Sequence, residues 1–194
     1  LDTSNSEELL SLIIDIIRYT FTVEFIGAVI LTVAFYQEGY EIGQSMYLGF
    51  YHSISAFCNA GIALFTNSLD EFKHSETILY TIMGLVTFGG LGFSVIKDLT
   101  NAVKNRTSIR ELSLHTKIVL TTHFSILIIS TLYLFFSEFL NAFQDMGIWE
   151  RFNISLFHAV IVRTAGFGLM DLNTLHPHSL YFLIIVMFIG ASPG

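Results

Sequence analysis

The chain has 194 residues, of which 53% are hydrophobic and only 13% charged, and its formal net charge is −7. A soluble domain carries about 25% charged residues, so this composition excludes a water-soluble globule, and the acidic balance argues against a nucleic-acid partner, which needs a basic footprint. The single cysteine, Cys58, excludes a disulfide within the chain.

The first ten residues are acidic and polar, so no signal peptide is read there. A start without methionine reads as an internal cut. Residues 12–36 form the first apolar stretch long enough to cross a bilayer, which takes ~20 helical residues. Residues 46–64 follow as a shorter apolar segment that ends in Asn59-Ala60-Gly61. A second span is read at 78–96, a third at 118–139, a second short segment at 152–169, and a last span from 180. That last run is still apolar at Gly194, so the chain is expected to continue.

The two short segments are read as re-entrant. Each offers roughly 10 to 13 helical residues, too few to cross, followed by small residues, Asn59-Ala60-Gly61 or Thr164-Ala165-Gly166. Broken backbone at membrane depth survives only where protein covers it or it lines a wet cavity. The letters repeat as well: NAGIAL at Asn59 matches TAGFGL at Thr164, 105 residues later, whereas YHS at Tyr51 matches FHA at Phe157, 106 residues later. One residue is therefore gained or lost between histidine and loop. The fold expected is an all-α membrane protein of repeated span–pore half-helix–span units with re-entrant filter loops. The first unit is 1–105, with its cytoplasmic link, and the second, truncated, is 106–194.

Orientation follows from the basic residues. Lys97, Lys104, Arg106, Arg110 and Lys117 are five of the nine Lys and Arg, all in the link between the second and third spans. The positive-inside bias puts this link in the cytoplasm, so both small-residue loops open outward. A half-helix entering from outside aims its carbonyl-rich, partly negative end at the membrane interior. The loop after it can offer backbone oxygens in place of an ion's hydration shell, and no side chain in NAGIA or TAGFG binds a cation strongly.

The strings FYHSISAFCNAGIALF, TFGGLGFSVIKDL, FHAVIVRTAGFGLMDL and FIGASPG resemble the Trk/Ktr/HKT superfamily of potassium transporters, most of all the bacterial Ktr membrane subunits. The resemblance covers nearly the whole chain. It implies the second and third of four consecutive repeats in one chain, around one filter. It maps the filter glycines onto Gly61 and Gly166, and the carbonyl-donating neighbours onto Asn59, Ala60 and Ile62 and onto Thr164, Ala165 and Phe167. Asn59 departs from the pattern, since the other repeat has Thr164. The function implied is K+ translocation across the plasma membrane, with Na+ dependence carried as an option and no organic cofactor. The partners implied are the bilayer, a second copy in a homodimer, and a cytosolic ring of nucleotide-binding regulatory subunits, for which 97–117 is the candidate contact.

Arg163 is expected to be a structural lock on the second loop, with electrostatic tuning of the ion as the rival reading and Glu24 as the candidate partner. His52 and His158 are expected to bond a neighbouring helix rather than a metal or a proton. Asp15 and Arg18, three apart, can pair on one helix face. The glycine-rich 87–93 stretch is read as close helix packing, with a hinge as the alternative. An alternating-access cation symporter ranks below the filter because both repeats run in the same direction, and an intramembrane metalloenzyme lacks clustered ligands. No catalysed chemistry is expected.

Overall fold

The computed structural model describes residues 3–106, 108, 111–163 and 165–189, and every regular element among them is helical. Helix α1 (Thr3–Gln37) carries an apolar stretch, Leu9–Gln37, long enough to cross a bilayer. Helix α2 (Ile42–Phe57) packs back along α1. An irregular segment with a 3-10 turn at Asp70–Phe72 leads to α3 (Glu76–Gly90).

Here the structure differs from a continuous second span over 78–96. Helix α3 stops at Gly90, and α4 (Phe93–Asn105) leaves it at 101°. The break falls at Gly92, whose φ of +84° is readily adopted only by glycine. The bend falls within the glycine-rich stretch. It has its own small core, in which Leu91, Val95 and Ile96 pack with Tyr19, Val119 and Leu120. Asp98 of α4 accepts a hydrogen bond from the Ser113 amide at 2.9 Å.

Helix α5 (Leu114–Ser137) is the second helix long and apolar enough to span. Ser113 caps it by accepting from the Thr116 amide. Helix α6 (Ile148–Ile161) is short and leads into an irregular stretch. Helix α7 (Pro177–Ile189) starts on proline, which needs no amide partner in the first turn. Its N-terminus is tied to α5 by Glu138, a fully buried carboxylate that accepts from Ser179 Oγ, from Asn141 Nδ2 at 2.6 Å and from the His176 amide at 3.0 Å. Three donors satisfy a charge that would otherwise be costly to bury.

One core joins the two halves. Phe35, Phe72, Ile78, Ile82, Phe157 and Leu169 belong to it, and they come from α1, α3, α6 and both irregular segments. Outward faces of the long helices stay apolar and uncovered, as at Phe21 and Phe136. A helix apolar on all sides needs an apolar surrounding, so the uncovered faces belong against lipid. The chain is an integral membrane protein.

Candidate functional site

The two small-residue loops follow the C-terminal ends of α2 and α6, and they meet. Gly61 lies against Gly166: a Cβ added to Gly61 would sit 2.6 Å from Gly166 Cα and closer still to its nitrogen. Gly61 also has a φ of +64°. Any side chain there would face both left-handed strain and a collision with backbone. Behind the glycines the loops are clasped. The Leu69 amide donates to the Gly168 carbonyl at 2.9 Å, and the Gly168 amide donates to Ser68 Oγ at 2.9 Å.

The first loop is built as a helix cap. Asn59 is left-handed, with a φ of +54°. Its amide donates to Ala56 O at 3.1 Å, and the Ala60 amide reaches back to Ser55 O at 2.8 Å. This nested pair is the Schellman arrangement, with Asn59 in the left-handed position that Gly fills best and Asn tolerates. In the second loop the Ala165 amide closes on Ile161 O, four residues back instead of five. The extra residue of the first loop, visible as the change of offset from 106 to 105, is thus spent on the cap. Thr164, expected as a carbonyl donor, lies outside the described residues.

The remaining expected site residues fall as follows. Ala60 and Gly166 are exposed, Gly61 is partly covered, and Ala165 and Phe167 are buried. Among the described residues, the carbonyls of Ala60, Gly61, Ala165, Gly166 and Phe167 accept no hydrogen bond. Ile62 differs, because its amide donates to Ser55 Oγ at 3.0 Å and its carbonyl accepts from the same hydroxyl at 2.8 Å. No group of three or more His, Cys, Asp or Glu that could hold a metal occurs among the described residues. The arrangement offers a cation neutral peptide oxygens, next to the partly negative ends of two helices.

Arg163 does not go to Glu24. Its guanidinium lies 2.8 Å from His123 Nδ1 on α5, and Glu24 lies beside the Cys58 thiol, with Sγ 3.9 Å from Oε1. A guanidinium only donates, so Nδ1 accepts and the ring proton is on Nε2. Arg163 and His123 share no sequence pattern, since they are 40 residues apart, His123 within α5 and Arg163 just past the end of α6.

The histidines at matched positions bond their own helices, which corrects the expected link to a neighbouring helix. His52 Nδ1 lies 2.8 Å from Leu48 O, and His158 Nδ1 lies 2.9 Å from Ile154 O. A carbonyl only accepts, so each Nδ1 carries the proton. The glycine-rich stretch packs as expected at Gly89, where a Cβ would collide with the carbonyl oxygen of Phe57 at the end of α2. The residues missed from sequence are Ser55 and Ser68, the two hydroxyls that anchor the loops. The Asn-Ala-Gly run at a helix end was the available signal for a cap that such anchors would support.

A family model described as TrkH, cation transport protein, matches residues 1–194. The chain is 34% identical over 179 residues to the Ktr system potassium uptake protein B of Vibrio alginolyticus, covering 91% of this chain and 38% of that protein. It is 32% identical over 173 residues to the Ktr system potassium uptake protein D of Bacillus subtilis, covering 89% of this chain and 38% of that one. It is 28% identical over 194 residues to the potassium/sodium uptake protein NtpJ of Enterococcus hirae, covering 98% and 42%. The chain thus spans about two fifths of the length of these relatives.

Proposed function

Because the chain belongs to the TrkH family of cation transport proteins, we propose that it forms part of the K+ path of an uptake system in the plasma membrane. Its relatives are cation transporters rather than enzymes. K+ is the transported ion in this reading. It enters from outside and sheds water onto the backbone oxygens of Ala60 and Gly61 from one loop and of Ala165, Gly166 and Phe167 from the other, with Asn59 and Thr164 completing the two runs.

The observation that carries the proposal is the meeting of Gly61 and Gly166, with peptide oxygens beside them that no hydrogen bond occupies. Two loops in direct contact leave no passage between themselves. They suit neighbouring walls of a ring, whose other walls would come from further repeats of a longer chain. Repeated span–pore half-helix–span units, with 1–105 and 106–194 as two of them, are part of this reading. Ile62 contributes least, because Ser55 occupies both its polar groups. The name of the Enterococcus relative includes sodium, which favours Na+ dependence as a further element of the proposal. So does the Ktr system name for partners: we place a homodimer on a cytosolic nucleotide-binding ring, touching the link that carries Lys97, Lys104, Arg106, Arg110 and Lys117.

The test is Gly166→Ser in the full-length protein, with K+ and Na+ uptake measured side by side. A hydroxymethyl beside the ion disturbs the spacing of the oxygens, so discrimination for K+ over Na+ is expected to fall by about tenfold, which is about 1.4 kcal/mol. Unchanged discrimination and unchanged K+ affinity would remove this loop from the path.

A further inference from the structure

The two loops are not held in the same way. In the first, Ser55 sits in the last turn of α2, 6% exposed, and its one hydroxyl serves Ile62 twice: it accepts from the amide at 3.0 Å and donates to the carbonyl at 2.8 Å. One turn earlier, His52 is fully buried. Its Nδ1 proton goes to Leu48 O, which leaves Nε2 as an acceptor, and the Leu64 amide lies 3.4 Å from it. The His52 ring stacks on Phe65, with centroids 5.2 Å apart and planes 14° apart. Residues 62, 64 and 65 are therefore each fixed by a side chain of the preceding half-helix.

The second loop lacks this arrangement. His158 has the same tautomer as His52, but its Nε2 is buried without a partner. The position matching Ser55 at the histidine offset is Ile161, which has no hydroxyl. The anchor of that loop is instead the borrowed Ser68 Oγ on Gly168.

We infer that Ser55 and His52 are positioning residues for the first loop, holding Ile62 and Leu64 so that the carbonyls of Ala60 and Gly61 remain the ones presented to the ion. This rests on the filter reading above. Ser55 satisfies both polar groups of Ile62 and thereby sets where the ion-facing run stops. Without the hydroxyl, the Ile62 amide and carbonyl must find other partners, and the peptide planes on either side rotate with them. Ion discrimination depends on where the oxygens are, so it changes, whereas the number of working transporters does not.

The experiment compares Ser55→Ala, Ser55→Thr and Gly166→Ser in full-length protein reconstituted in vesicles, measuring uptake of K+ and Na+. For Ser55→Ala we expect about a tenfold rise in apparent KM for K+, with little change in maximal rate or in KM for Na+. Ser55→Thr keeps a hydroxyl and is expected to restore most of the discrimination. Wild-type KM and discrimination in Ser55→Ala would overturn the inference. If Gly166→Ser still alters discrimination in that case, only the positioning role fails; if neither variant alters it, the filter reading fails too. Should Ser55→Ala not reach the membrane, hydrogen exchange at the Ile62 and Leu64 amides of the wild-type protein decides. Slow exchange supports the clamp, and exchange at the rate of open loop overturns it.

Discussion

Asn59 occupies a left-handed cap position, with a φ of +54°. Asn59→Gly should cost only about 1 kcal/mol, since glycine takes that conformation without strain and what is lost is side-chain bonding such as that from Nδ2 to Phe57 O at 3.3 Å. Asn59→Thr, although it copies the other loop, should cost about 1–2 kcal/mol. Thermal unfolding in detergent checks both; a threonine variant as stable as the wild type would mean that the cap is absent.

Arg163 poses a different question at the same scale. Hydrogen bonds to charged groups contribute about 1.5–3 kcal/mol, and Arg163 has one to His123 at 2.8 Å. If it is a lock, Arg163→Gln should lower the melting temperature by an amount in that energy range while K+ over Na+ discrimination stays near that of the wild type. An altered ratio at unchanged stability would favour electrostatic tuning of the ion. The residue type announced its importance, because a charge in an apolar segment is costly. Its partner was not legible: pairing across 40 residues is set by how α5 and α6 pack.

Among elements, the long apolar helices were the most legible. Hydropathy alone gave 12–36, which falls inside the single helix Thr3–Gln37, and 118–139, which overruns the end of Leu114–Ser137 by two residues. Hydropathy failed at 78–96 because it averages over the residue that matters there. Gly92 changes the backbone's direction without changing its polarity. Gly89 and Gly84 look alike in sequence, yet they stand in opposite surroundings. A Cβ on Gly89 would collide with Phe57 O, whereas one on Gly84 would meet nothing within 4 Å. Gly89→Ala should therefore destabilise by about 1–3 kcal/mol through overpacking and displace the end of α2 that carries the first loop. Gly84→Ala should be neutral or stabilise by up to about 1 kcal/mol. Equal melting temperatures for the two variants would contradict this packing of α3 on α2.

For the molecule as a whole, the core that joins both halves brings the two loops together. Phe35 and Phe72 on one side and Phe157 and Leu169 on the other share it. Periodicity and repeat spacing pointed to two loops of one kind; they did not reveal that Ser68 reaches Gly168 or that Gly61 touches Gly166, since both contacts depend on that shared core. The basic link, proposed as the contact for a cytosolic ring, leads to a prediction about assembly. Changing Lys104, Arg106 and Arg110 to glutamate should weaken co-purification of the full-length protein with the cytosolic ring proposed above. Undiminished co-purification would remove this link as the contact; Arg110 itself lies outside the described residues.

Peptide oxygens around two touching glycines replacing the water of K+ is the claim on which the rest depends. Thallium(I), an electron-rich stand-in for K+, makes the position directly visible by anomalous diffraction from crystals of the full-length protein. The account predicts a thallium peak against the carbonyls of Ala60, Gly61, Ala165 and Gly166, and its loss when excess K+ is added. A peak that competes with K+ but lies away from both loops would contradict it.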